Sequence, residues 1–128
     1  MNYTKFLYIT IVGSILCGCS ITPSDKKFQI IAPEQSGIDF SNTIESNDTF
    51  NVIDFYYIFN GGGVAIGDFN NDGLQDVYFS GNQVSNKLYL NESAFQFKDI
   101  TRTAKVEAAD IWSQGIAAVD INHDGWLD

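Results

Sequence analysis

A nine-residue stretch with oxygen-bearing side chains at alternate positions constrains this chain more than any other feature. Residues 68–76 read DFNNDGLQD, and residues 120–128 read DINHDGWLD. When the five residues upstream of each copy are included, seven of 14 aligned positions are identical at an offset of 52 residues. A repeat of this length is typical of solenoids and propellers, in which one supersecondary unit recurs.

The alternating oxygens predict a calcium site in each copy. Carboxylates this close in sequence repel one another, and Ca²⁺ removes the conflict because it binds several oxygen ligands in loose geometry. Glycine at the sixth position allows a sharp turn there. The predicted ligands of the first copy are the side chains of Asp68, Asn70, Asp72 and Asp76 and the carbonyl of Leu74. Those of the second copy are the side chains of Asp120, Asn122, Asp124 and Asp128 and the carbonyl of Trp126.

Other interpretations of these loops are weaker. An EF-hand requires glutamate at position twelve, where the first copy has Phe79, and its flanks would be helices rather than strands. A plain polar β-turn needs only two or three Asp, Asn or Gly residues, not a ligand pattern present twice. His123, between ligand positions, is expected to be a solvent-facing turn residue. The Trp126 ring is expected either to pack or to stack on a ligand.

Residues 64–77 resemble the FG-GAP/VCBS repeat of integrin α-subunit propellers and of many exported bacterial proteins. Residues 86–91 and 97–101 resemble later strands of the same blade. The chain is similar in particular to VCBS-repeat lipoproteins of Gram-negative bacteria, including those with an ASPIC/UnbV domain, which would lie outside this sequence. The resemblance implies an all-β fold, a partial β-propeller with calcium in its blade loops.

The chain divides into segments that follow this repeat. Four short strands in about 50 residues match one propeller blade. The predicted layout is N-terminal strands leading into the propeller at 28–62, a first blade at 63–114 and the start of a second at 115–128. Strands are predicted at 28–32, 50–59, 63–69, 76–80, 87–91 and 95–101. Because propellers have about four to eight blades, we expect a fragment of a longer protein, marginally stable alone.

The first of these strands allows two interpretations. The order Phe28, Ile31, then residues 37–38 echoes Phe97, Ile100, then residues 105–106, so this first strand resembles the fourth strand of the blade and could close a blade as an N-terminal latch. A lone edge strand is the alternative, since the echo is short.

The N-terminus has the pattern of a lipoprotein signal. The apolar run at 6–16 is too short to span a bilayer, and LCGC follows at 16–19. Cleavage after residue 18 would leave a signal peptide of 1–18, a lipid on Cys19 and a tether at 19–27. The lipid would anchor the protein in the membrane. An ordinary secretory signal or an uncleaved anchor remains an alternative. Ser20 directly after the cysteine favours the outer membrane of a Gram-negative bacterium.

Charge and composition limit the functions. Sixteen acidic residues against seven basic ones give a formal charge of −9, which argues against nucleic-acid binding. Both cysteines lie in the signal region, so a disulfide framework is excluded. No catalytic residue is predicted, because His123 is the only histidine and Cys19 would carry the lipid.

These observations favour a non-catalytic, calcium-binding module at the cell envelope that binds or scaffolds a glycan or protein partner. The alternatives are the propeller portion of a polysaccharide lyase or hydrolase, with catalytic residues outside this sequence, and a calcium-dependent adhesin.

Overall fold

The computed structural model describes residues 28–128, of which Ile31–Asp128 form one compact unit. The predicted signal peptide, the lipidation site Cys19 and the tether at 19–27 lie outside the described residues. The elements are α1 Pro33–Ser36, β1 Val64–Gly67, β2 Asp76–Phe79, β3 Lys87–Asn91, β4 Phe97–Asp99 and α2 Thr101–Ala104. Across residues 28–128, neither helix has the length and apolar character needed to cross a membrane.

The four strands form one antiparallel sheet in the order β1-β2-β3-β4. Each strand pairs with the next along the chain, as in the register pairs Gly67–Asp76, Tyr78–Leu88 and Tyr89–Asp99. This open, four-stranded meander is an all-β unit that matches one partial propeller blade, as predicted. The flanking strands are shorter than the predicted 63–69 and 95–101, and β4 gives way to the helical turn α2.

Small residues in β1 make room for neighbouring segments. Ala65 and Gly67 are buried, whereas Val64 and Ile66 are exposed, so buried and exposed residues alternate along the strand. A Cβ at Gly67 would lie 2.5 Å from Cδ1 of Leu127. A larger side chain on this face would therefore displace the residues packed against it.

The segment 36–45, here called the N-terminal strap, lies across one face of the sheet. The ring of Phe40 stacks on that of Phe79 in β2, with centroids 4.9 Å apart. The hydroxyl of Tyr89 in β3 donates a 2.7 Å hydrogen bond to Asp39. Tyr89 is completely buried, and it packs edge-on against Phe79. The strap therefore covers the centre of the sheet and does not extend it.

Side-chain amides fix the far end of the strap to the β2–β3 turn. Asn42 donates to Asn82 Oδ1 at 2.6 Å, and the Asn82 backbone N–H donates to Asn42 Oδ1 at 2.9 Å. Gln83 likewise exchanges two hydrogen bonds with the backbone of Glu45. These contacts join residues about 40 positions apart and hold the strap in one register.

The predictions of strands at 28–32 and 50–59 were wrong. Residues 28–32 form no strand, and the proline that follows them begins α1, where its missing N–H costs nothing. Residues 51–59 form successive turns, and Phe50 forms only an isolated bridge with Asn47. The Asn51 side chain accepts hydrogen bonds from the N–H groups of Ile53 and Asp54, and such local bonds compete with strand pairing. In the described part of the chain, residues 28–32 therefore do not add an edge strand to the sheet.

The contact between Tyr89 and Asp39 predicts an alkaline loss of stability. Burial raises the pKa of the Tyr89 hydroxyl well above its usual range, and the hydrogen bond to Asp39 raises it further. The folded state keeps a proton that the unfolded state loses near pH 10. The stabilisation is therefore fully present below about pH 10 and is lost as the pH rises towards the folded-state pKa.

Tyr89→Phe is expected to lower the free energy of unfolding by about 1–2 kcal/mol at pH 7, because the bond to a carboxylate is lost. It should also remove part of the alkaline decline. Urea unfolding at pH 7 and pH 10.5 measures both effects. Tyr56→Phe is the control, since Tyr56 is 79% exposed. If Tyr89→Phe kept the wild-type pH dependence, the assignment of the decline to Tyr89 would be wrong.

Candidate metal centre

The first loop, residues 68–76, joins β1 to β2 and gathers carboxylate oxygens over its own backbone. Asp68 accepts hydrogen bonds from the N–H groups of Asp72 at 3.0 Å and Gly73 at 2.8 Å. Asp72 accepts from the N–H of Leu74 at 2.8 Å. The loop is thus closed by side-chain-to-backbone bonds typical of Asx turns.

Asn70 completes a cluster with these two carboxylates. Its Oδ1 accepts from the backbone N–H of Asp72 at 3.1 Å, and its Nδ2 donates to the carboxylate of Asp72 at 2.8 Å. Because Asp68 and Asn70 both accept from the same N–H, three of the predicted ligand side chains are brought together.

Asp76 has a structural role that the sequence analysis missed. It is fully buried, and its two oxygens accept hydrogen bonds from the backbone N–H groups of Phe69 at 2.9 Å and Asn91 at 2.8 Å. Phe69 is the second residue of the loop, and Asn91 ends β3. Asp76 therefore fixes the loop to the third strand of the sheet. No local pattern indicates this, since Asn91 is 15 residues away.

The second loop, residues 120–128, repeats these contacts at matching positions. Asp120 accepts from the N–H groups of Asp124 and Gly125 at 3.1 and 2.8 Å, and the Asn122 amide contacts Asp124 in the same two ways as Asn70 contacts Asp72. Trp126 donates to Asp124, and Ile121 donates to Asp128. Within residues 28–128, the bond from Asp76 to β3 has no counterpart at Asp128, which is exposed.

The backbone also repeats between the loops. The sixth position is left-handed glycine in both, with φ of 87° at Gly73 and 89° at Gly125. The fourth position is left-handed as well, with φ of 57° at Asn71 and 61° at His123. Asn and His are among the non-glycine residues that adopt this region most readily. His123 is exposed, as predicted for a turn residue, and Trp126 is 50% exposed.

Residues 68–128 match the protein family described as FG-GAP-like repeat. The matched range begins at the first ligand position of one loop and ends at the last ligand position of the other. It supports the predicted repeat family and a β-propeller type of module. The comparison with curated proteins gave no match, and neither did the comparison with solved structures.

The donor chemistry of these FG-GAP-like loops fits calcium. The predicted ligand positions of each loop offer carboxylate, amide and carbonyl oxygens, the hard ligands that Ca²⁺ prefers. In residues 28–128, however, no three Asp, Glu, His or Cys side chains are placed closely enough to hold a metal ion. In the first loop the carboxylates of Asp68 and Asp76 each accept two backbone N–H bonds, and Asn70 presents Nδ2 to Asp72. Ion binding would require oxygens of these side chains, those of Asp76 included, to turn from their present donors towards the ion.

The two FG-GAP-like loops also touch each other. Nδ2 of Asn71 donates a 3.1 Å hydrogen bond to the carbonyl of Gly125. Leu127 packs against Gly67, the residue that immediately precedes the first loop. The repeat predicts two equivalent loops, but only the tertiary structure shows them in contact.

Proposed function

We propose that this chain is a calcium-binding β-propeller segment, anchored by lipid on Cys19 at the cell envelope, that acts as a non-catalytic binding or scaffold module. The observation that carries the proposal is the recurrence of one ligand pattern with one set of hydrogen bonds in two FG-GAP-like loops. The partner would be a glycan or a protein.

Calcium in this proposal stabilises the fold and performs no chemistry. The ligands Asp68, Asn70, Asp72, the Leu74 carbonyl and Asp76 belong to the hairpin that joins β1 to β2, so an ion there would hold the hairpin in place. An ion bound by the folded loop but not by the unfolded chain stabilises the protein by mass action. It would also offset part of the formal charge of −9.

Exposed aromatic residues support the binding role. Tyr56, Tyr57 and Phe59 are 79%, 60% and 64% exposed, and they follow one another in the turns before β1. The ring centroids of Tyr56 and Tyr57 lie 6.1 Å apart, and aromatic side chains are enriched at protein interfaces. The acidic charge is consistent with a partner other than nucleic acid.

Calcium titration of wild type and Asp72→Ala tests the metal role. Asp72 is exposed, so the substitution leaves the core intact. Extracellular calcium modules bind with dissociation constants of about 10⁻⁴–10⁻³ M. For wild type, calcium at about 100 times the dissociation constant should raise the free energy of unfolding by about 2.7 kcal/mol per site. Asp72→Ala should weaken binding at the first loop at least tenfold.

Asp48→Ala is the matched control, because it removes one exposed carboxylate outside both loops at a position without a left-handed backbone. Its calcium affinity should equal that of wild type. The metal proposal fails if Asp72→Ala binds calcium as tightly as Asp48→Ala in isothermal titration calorimetry.

A further inference from the structure

We infer that the two loops form one coupled unit, in which Asn71 and Leu127 are positioning residues that let an ion in one loop favour an ion in the other. The inference rests on the proposed calcium binding and goes beyond it. It assigns roles to two side chains that are not ligands, and it makes the two sites interdependent.

The first contact is polar and joins the loops beside their ligands. Asn71 lies between the ligand positions Asn70 and Asp72, and it donates to the carbonyl of Gly125 at 3.1 Å. Gly125 in turn lies between Asp124 and Trp126. A change in the backbone of one loop is therefore transmitted directly to a residue flanked by ligands in the other.

The second contact is apolar and joins the opposite ends of the loops. Leu127 precedes the last ligand of the second loop, and its Cδ1 occupies the space that a side chain at Gly67 would need. Gly67 directly precedes Asp68, the first ligand of the first loop. Leu127 and Phe69 also line the same cavity. Leu127 of the second loop thus packs against the residues at the start of the first loop.

These contacts make the coupling positive, so that an ion bound in one loop strengthens binding in the other. An ion that orders one loop also fixes the residues that the other loop contacts, so the second loop loses less conformational entropy when it binds its own ion. By linkage the effect is the same in both directions. Repulsion between two bound cations opposes this coupling, and salt at about 0.15 M screens exposed charges over a distance of about 8 Å.

The test measures calcium binding by the second loop when a substitution weakens calcium binding by the first. In calcium titrations of the full chain at 0.15 M NaCl, Asp72→Ala should weaken the second loop by about fivefold, the lower end of typical coupling. All ligands of the second loop remain intact in this variant. Asn71→Gly should produce the same weakening, and Asp72→Ala should have no further effect on the second loop when added to it. Leu127→Ala tests the apolar contact independently.

His123→Gly is the matched control for Asn71→Gly. Both residues hold the fourth position with nearly equal positive φ, so glycine relieves the same backbone strain in each. His123 makes no side-chain hydrogen bond to the first loop in the described part of the chain, and its removal should leave the coupling unchanged.

The outcomes separate the inference from the proposed function. Two ions that bind independently, with affinities unaffected by Asn71→Gly and Leu127→Ala, would overturn the coupling and leave calcium binding standing. A wild-type chain that binds no calcium would overturn both. Loss of coupling in Asn71→Gly but not in His123→Gly is the result that supports the inference.

Discussion

Asp76→Ala should lower the free energy of unfolding by about 3–5 kcal/mol, because it leaves two backbone N–H groups without partners at a buried position, each costing about 1–3 kcal/mol. The carboxylate is fully buried and bridges Phe69 to Asn91. Chemical unfolding in the presence of a chelator measures this loss without any contribution from a metal. The expected loss of stability comes from the two broken hydrogen bonds and not from the change in the charge of the loop.

Asp128→Ala is the control, since it removes the carboxylate at the same position of the second loop. Asp128 is exposed and accepts one side-chain bond, from the N–H of Ile121 at 3.1 Å. Water can replace that bond, so the expected loss is below about 1 kcal/mol. Equal losses for the two variants would show that Asp76 does not hold the loop to β3.

Gly37→Ala is the second substitution with a large expected effect, about 2–4 kcal/mol, because it combines backbone strain with overlap. Gly37 ends α1 with φ of 76°, a conformation that alanine adopts at a cost of about 1–2 kcal/mol. Its Cβ would also overlap the backbone carbonyl of Phe97. Phe97 is paired with Asn91 in the sheet and cannot easily move away.

Gly61→Ala separates the two contributions. Gly61 has φ of 82°, and a Cβ there would have no neighbour within 4 Å. It should therefore cost only the strain, about 1–2 kcal/mol. Thermal or urea unfolding of the two variants gives the difference. If Gly37→Ala were no worse than Gly61→Ala, the strap would not be seated against β4.

Local sequence patterns predicted the positions of the strands because each strand pairs with the next one along the chain. The predicted strand at 87–91 agrees with Lys87–Asn91, and the one at 76–80 exceeds Asp76–Phe79 by a single residue. The same reasoning failed at 50–59, where apolar content is high but Asn51 binds the backbone of its neighbours. Strand propensity does not register such competition between side chain and backbone.

The candidate site was predictable in part, for the same reason. The spacing of Asp68, Asn70 and Asp72 brings these side chains together in a turn, as the hydrogen bonds show. The bridge from Asp76 to Asn91 spans 15 residues, and the bond from Asn71 to the second loop spans 54. Such contacts depend on the packing of separate segments, which a motif does not encode.

The strap has a consequence for the order of folding. All register pairs of the sheet join residues at most 15 positions apart, whereas Tyr89 meets Asp39 across 50 positions. Closing the longer loop costs more chain entropy, so nearby hairpins form earlier and the strap docks last. On the ribosome the strap is synthesised before β2 and β3, so the surface that it packs against forms later. During that interval Phe79 and Tyr89 lack the contacts that Phe40 and Asp39 make with them in the folded chain.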